Sequence, residues 1–165
     1  MIPVEKAPRV RLSVVEHSVR TAIVAMASLL VSRLFRLPEL YWAPITTLVI
    51  TQSTLGAAFA VSWQRFIGTV LGALVGGLAA SYFGPNLLVF GACVLLLGPL
   101  CALVGATRSA YRFGGVTLAI VLLIPRAQPA WQIAFHRFAE VSIGIGVALL
   151  FAIFWPEGED PPVKT

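Results

Sequence analysis

Charge is scarce in this sequence, so the few ionisable residues in apolar surroundings carry most of its chemical potential. Glu140 is the one acidic residue within a long apolar run, and Arg137 precedes it by one helical turn. The two can form an ion pair along one helix face. An intramembrane carboxylate can also carry a coupling proton. Arg20, Arg65, Arg112 and Arg137 each open an apolar run. Their long side chains either snorkel to water or form a positive lining that holds an organic carboxylate in a bidentate fork. Thr46, Thr47, Thr51 and Gln52 make the end of one run polar, and Thr117 is the matching hydroxyl in another. Such groups can replace water around a passing solute or bond to their own helix backbone.

Enzyme constellations are missing. The sole aspartate is Asp160 near the C-terminus, and the two histidines, His17 and His136, are far apart. No metal-ligand spacing, phosphate loop or pair of intramembrane carboxylates occurs, so neither catalysis nor a cofactor is expected. Cys93 and Cys101 are eight residues apart, about 12 Å along a helix, too far to bridge.

These residues sit in an unusually apolar chain. Of 165 residues 58% are hydrophobic and only 12% charged, with a mean hydropathy of +0.90. Soluble domains average about 45–50% apolar and about 25% charged. The composition excludes a soluble enzyme, a nucleic-acid reader and a disordered segment, and points to the lipid bilayer as the surroundings. The net charge of +5 then reads as basic residues at membrane edges.

A spanning helix needs about 20 residues, so six spans nearly exhaust the chain. The expected architecture is all-α and integral to the membrane, with spans near 19–34, 41–50, 66–83, 87–106, 113–124 and 138–155. Residues 1–17 form a basic cytoplasmic segment, 18–156 the six-helix membrane domain, and 157–165 a short acidic cytoplasmic tail. Residues 51–64 read as an interfacial stretch, and Gly98-Pro99 as a kink. The first apolar run is followed by Arg33 and Arg36 rather than a small-residue cleavage site, so no cleaved leader is expected. With the N-terminus inside, eight Lys and Arg lie on the inner side and four on the outer. That places both termini in the cytoplasm. Trp42, Trp63, Trp131 and Trp155 all fall at span ends or in loops, as in an aromatic belt.

Two patterns suggest internal organisation. Gly68, Gly72 and Gly76 recur every fourth residue, continued by Ala80. Small residues at that spacing let another helix backbone approach closely, within one subunit or at a dimer seam. Tyr41, Thr47-Leu48, Gln64-Arg65-Phe66 and Gly72 can be laid on Tyr111, Thr117-Leu118, His136-Arg137-Phe138 and Gly144. Three spans per copy make this an inverted repeat of three plus three. Spans 2 and 5 are both short, each with a helix breaker three residues after its tyrosine, Pro44 and Gly114. Interrupted segments at matching positions are the best sequence pointer to a transport site, so a solute route between spans 2 and 5 is expected.

The run from Tyr41 to Ser53 (Tyr-Trp-Ala-Pro-Ile-Thr-Thr-Leu-Val-Ile-Thr-Gln-Ser), followed by Gln64-Arg-Phe-Ile-Gly-Thr-Val-Leu-Gly-Ala73, resembles the signature of the fusaric acid resistance family. That family is similar to the aromatic acid exporters and, more distantly, to the aluminium-activated malate transporters of plants. The ending Arg137-Phe138…Gly144…Trp155-Pro156 resembles the family's last membrane helix. The resemblance implies a homodimer in the bacterial inner membrane that exports small, often aromatic, organic anions. A passive anion channel is the alternative within that class. The other is a non-transporting subunit working with a periplasmic or membrane efflux partner. Larger members carry two such units plus soluble regions; this chain has one.

Overall fold

The computed structural model describes residues 7–51, 54–124 and 128–155, with side chains from Val15 onward. Among the described residues there are six helices and no strand: α1 (Ala7–Leu34), α2 (Trp42–Ile50), α3 (Leu55–Tyr82), α4 (Leu87–Leu103), α5 (Arg108–Leu123) and α6 (Ala130–Phe154). Three starts are set by side-chain caps. Thr54, Asn86 and Thr107 accept the backbone N–H of Ala57, Leu88 and Ser109 respectively, each satisfying an otherwise orphaned donor. Pro44 lies in the first turn of α2, where a missing N–H does no harm.

The ends of α1 and α4 are alike. The N–H of Leu37 reaches back to the carbonyl of Ser32 around Arg36 at φ +50°, and that of Ala106 to Cys101 around Gly105 at φ +66°. Both are left-handed C-terminal caps, one built on glycine and one on arginine.

Val15–Leu34, Leu55–Tyr82 and Ala130–Phe154 are long and apolar enough to cross a membrane. The other three are short for a hydrocarbon core of about 30 Å. At about 1.5 Å per residue, α2 covers roughly 14 Å, and α4 and α5 roughly 25 Å. Several boundaries differ from the sequence expectation. α3 begins at Leu55, so residues expected as an interfacial stretch are its first turns, made continuous by the Thr54 cap. α6 begins at Ala130, directly after Pro129, instead of at Phe138. α5 begins at Arg108 and α1 at Ala7, within the segment expected as a tail. The expected acidic tail at 157–165 lies outside the described residues.

The packing has a regular plan. α3 and α6 pack on each other and form the centre. α5 packs on α3 and α2 on α6; α4 packs on α5 and α1 on α2; α4 also touches α3, and α1 touches α6. Exchanging the first three helices for the last three maps this scheme onto itself. α3 meets α5 side by side through Gly68, Gly72 and Gly76, which face Ala110, Gly114 and Leu118. Gly68 and Gly72 approach the carbonyls of Ala110 and Gly114 so closely that a Cβ has no space. α6 meets α2 the same way: a Cβ on Gly144 would lie 2.6 Å from the Ala43 carbonyl oxygen and 2.6 Å from Thr46 Cβ. The glycine row is therefore occupied inside one chain. α4 buries only Leu97 and Cys101 and leaves Leu87, Leu88, Leu95 and Leu103 outermost, the face such a helix turns to lipid.

Candidate functional site

The long helices α3 and α6 carry buried charge near their middles. Arg65 lies about ten residues into α3 and is buried, and Arg137 and Glu140 lie in the first half of α6, 2% and 0% exposed. The early starts of α3 and α6 put these arginines inside the bundle. The expectation that they sit at span starts is corrected on that ground, and of its two readings snorkelling to water does not fit; Arg20, 3% exposed on α1, is likewise interior.

On α6 four groups close a ring. Arg137 Nη1 lies 3.4 Å from Glu140 Oε2. Glu140 Oε1 accepts the backbone N–H of Glu39 at 3.2 Å. The Trp42 indole N–H donates to Glu39 Oε2 at 2.7 Å. The Arg137 guanidinium, in turn, stacks on the Trp42 ring at 3.6 Å, a cation–π contact. The ring pins the α1–α2 turn and the first residue of α2 to the middle of α6.

On α3 the corresponding place is built differently. Arg65 donates from Nη2 to Thr46 Oγ1 at 3.0 Å and lies over the Phe113 ring at 4.8 Å. Its Nε is buried without a hydrogen-bond partner, as is the nearby Ser62 hydroxyl one turn earlier. Among the described residues no carboxylate pairs with Arg65. Gln64 beside it accepts both the N–H and the hydroxyl of Thr107 at 2.9 Å, so a neutral amide holds the start of α5. Both arginines reach α2, Arg137 at Trp42 and Arg65 at Thr46 one turn further on.

The other expected positions divide. Thr46 and Thr47 are buried together between α2 and its neighbours. Thr46 serves Arg65, whereas the Thr47 hydroxyl sits between the carbonyls of Ala43 at 3.0 Å and Gly144 at 3.1 Å. Thr51 and Thr117 donate to Thr47 and Phe113 of their own helices. Gln52 lies outside the described residues. Arg112 is exposed on the second turn of α5. α2 and α5 make no contact with each other, because α3 and α6 lie between them. The two short helices expected to flank the solute route are thus not neighbours in this chain.

Glu39, Trp42, Gln64 and Phe113 were missed as participants. The signal for two of them was a carboxylate in a proline turn with a tryptophan three residues on. Arg20 borders a cavity of about 10 Å³ with Ile50, Thr51, Ala58 and Ala148, room for about one water. A larger opening of about 510 Å³ lies elsewhere along α3 and α6, and it is apolar, with Phe66, Leu74, Leu78, Trp131 and Phe138 among its lining. Nothing in it would orient a charged solute.

Residues 24–151 match the profile of the family described as fusaric acid resistance protein-like. The chain belongs to that family. Every residue of the charged centre, from Glu39 to Glu140, lies within the matched stretch. The inner membrane protein YeeA of Escherichia coli strain K12 is similar at 31% identity over 149 residues, 86% of this chain and 41% of that protein. The uncharacterized transporter YdhK of the same strain is 28% identical over 153 residues, 87% of this chain and 23% of the relative. The uncharacterized protein YqjA of Bacillus subtilis strain 168 is 26% identical over 142 residues, 85% and 42% of the two chains. The chain spans less than half the length of these relatives. No solved structure matches it. Membership of this family, with three helices able to cross the bilayer, makes the chain a helical membrane protein.

Proposed function

We propose that this chain moves small organic carboxylates, aromatic ones among them, out across the bacterial inner membrane, and that Arg65 and Arg137 form the anion-binding centre. The observation that carries this reading is the state of Arg65: a guanidinium buried near mid-length of a membrane helix, bonded to one hydroxyl, with Nε open. A charge in that position is costly and marks a solute pathway far more often than a packing role. A planar carboxylate fits a guanidinium edge, and the Phe113 face beside it suits an aromatic body.

The scaffold in this reading is six helices in two inverted halves, both termini cytoplasmic, assembled as a homodimer. The exchange symmetry of the packing supports the inverted halves, and the glycine contacts at Gly72 and Gly144 repeat it. The chain does transport rather than catalysis. A second reading has a specific support: the chain covers 41% and 23% of two of its relatives. It would then be the membrane unit of a larger efflux assembly, silent without its partner.

The test is flux of labelled terephthalate, an aromatic dicarboxylate too charged to leak, through proteoliposomes of the purified chain. Wild type should carry it, and Arg65→Gln should abolish the flux while still inserting. Flux in Arg65→Gln equal to wild type removes the anion centre. No flux by wild type, restored on adding a partner protein, selects the second reading.

A further inference from the structure

We propose that Glu140 is a proton-binding site linked to the anion centre, so that each organic anion bound there is accompanied by one proton. This rests on the anion-transport reading above and names how its site is kept in charge balance.

The argument is a charge count within the centre. Arg65 and Arg137 supply two positive charges, and Glu140 and Glu39 two negative ones. The resting centre is neutral, as a buried cluster in a low-dielectric surrounding must nearly be. A transported carboxylate arriving at Arg65 and Arg137 makes three carboxylates around two guanidinium groups. One proton restores neutrality. Of the groups present, Glu140 is placed to take it. It is wholly buried, so it cannot lower its charge cost with water. Its hold on Arg137 is 3.4 Å, longer than the 2.7–2.9 Å of a tight charge-assisted bond. It also offers Arg137 the same chemical group as the solute does, so the two compete for one guanidinium.

The groups facing Glu140 are Arg137 of its own helix and Glu39 of the α1–α2 turn. His136 stands one turn before it on α6, and Arg65 on α3 reaches the same short helix at Thr46, one turn from Trp42. Glu39 is half-buried at the rim and already accepts the Trp42 indole N–H. The step balances simply. A proton from water adds to a Glu140 carboxylate oxygen and breaks its ion pair, and Arg137 turns to the bound anion. When the anion leaves, the proton returns to water and the pair re-forms. Because Glu140 Oε1 also holds the Glu39 amide, the same protonation loosens the α1–α2 turn from α6. Linkage is reciprocal: the anion strengthens proton binding by the factor by which the proton strengthens anion binding.

The experiment is titration calorimetry of the purified chain in detergent with benzoate, which brings the single carboxylate of the charge count, at pH 7.5 in two amine buffers of different ionisation enthalpy. The difference in heat counts protons taken up per anion. Wild type should take up about one proton, and Glu140→Gln, which resembles the protonated group, about none while still binding. Anion binding by wild type with no proton uptake overturns this inference and leaves the transport reading standing; that result needs no variant. Unchanged uptake in Glu140→Gln also overturns it, by assigning the proton elsewhere. Absence of benzoate binding by wild type overturns the anion reading and this inference with it.

Discussion

Gly72 gives the most direct test of the fold. A methyl group there would stand 2.9 Å from both the Cα and the carbonyl carbon of Gly114, with the Gly114 carbonyl oxygen nearer still. Carbon atoms pack at about 3.5–4.0 Å, so α5 must retreat by roughly 0.6–1 Å, and a gap of that size forfeits about a quarter to a half of each contact it opens. Both partners are backbone, so no rotamer change relieves the clash. Overpacking of this kind costs about 1–3 kcal/mol. Replacing glycine by alanine also raises helix propensity by nearly 1 kcal/mol, which would hide part of the loss. Gly146 supplies the control, because its Cβ would meet nothing within 4 Å in the same kind of helix. The difference between Gly72→Ala and Gly146→Ala cancels propensity and isolates the seam. At about 2–4 °C per kcal/mol for a chain of this size, Gly72→Ala should melt roughly 3–10 °C below Gly146→Ala by tryptophan fluorescence in detergent. Gly76→Ala should fall between them, since its nearest neighbours are side-chain and backbone atoms at 3.2–3.4 Å. Equal melting of Gly72→Ala and Gly146→Ala would refute the α3–α5 contact.

Three further outcomes are expected. Arg36 holds a left-handed backbone that costs a residue with a side chain about 1–2 kcal/mol, so Arg36→Gly should raise the melting temperature by a few degrees, and a fall would mean that the arginine side chain makes a contact worth more. Arg112 is exposed at the start of α5, so Arg112→Gln should weaken terephthalate flux at low concentration through lost attraction and recover at saturation, a smaller defect than Arg65→Gln; a defect that persists at saturation would put Arg112 in the centre. A reporter active only outside the cytoplasm, joined after Trp155, should stay silent, and a strong signal there would reverse the orientation.

What the sequence made legible follows from what its patterns encode. Glycines at a four-residue spacing and breakers after each tyrosine are local signals, and they located the seam residues Gly68 and Gly72 and the short helices α2 and α5. The ion pair of Arg137 and Glu140 was readable from spacing on one helix. Helix starts were not. Polar residues such as Gln64, Arg65, His136 and Arg137 look like span boundaries when burial is unknown, so α3 and α6 were read as starting beside them. The structure continues both helices outward past these groups and turns boundary residues into a buried centre. The Glu39–Trp42 contribution was hidden for a related reason. It depends on a turn folding back onto α6, and a contact across a hundred residues leaves no local trace.

The two halves share a skeleton but differ at an aligned position one turn after the arginines, and the difference separates their roles. Arg65 and Arg137 are 72 residues apart, as are Gly72 and Gly144; on that register Gly68 matches Glu140. At Gly68 the absence of a side chain lets the Ala110 carbonyl close on α3. The start of α5 is then fixed by backbone contact, the Thr107 cap and the neutral Gln64 amide. At Glu140 a carboxylate fills the same place, and the start of α2 is held through charges and one tryptophan, with no side-chain cap of its own. A dry backbone seam has one arrangement, because interiors packed to this density do not deform continuously. A ring of ionisable groups has at least two, set by where one proton resides. Nine residues are too few for a helix to stand alone, so α2 depends on its seam with Gly144 and, at its start, on that ring. Under the proposed anion transport, the glycine seams of α3 with α5 and of α2 with Gly144 of α6 are the fixed contacts, and the start of α2, held by the ring, is the part free to respond when the solute arrives.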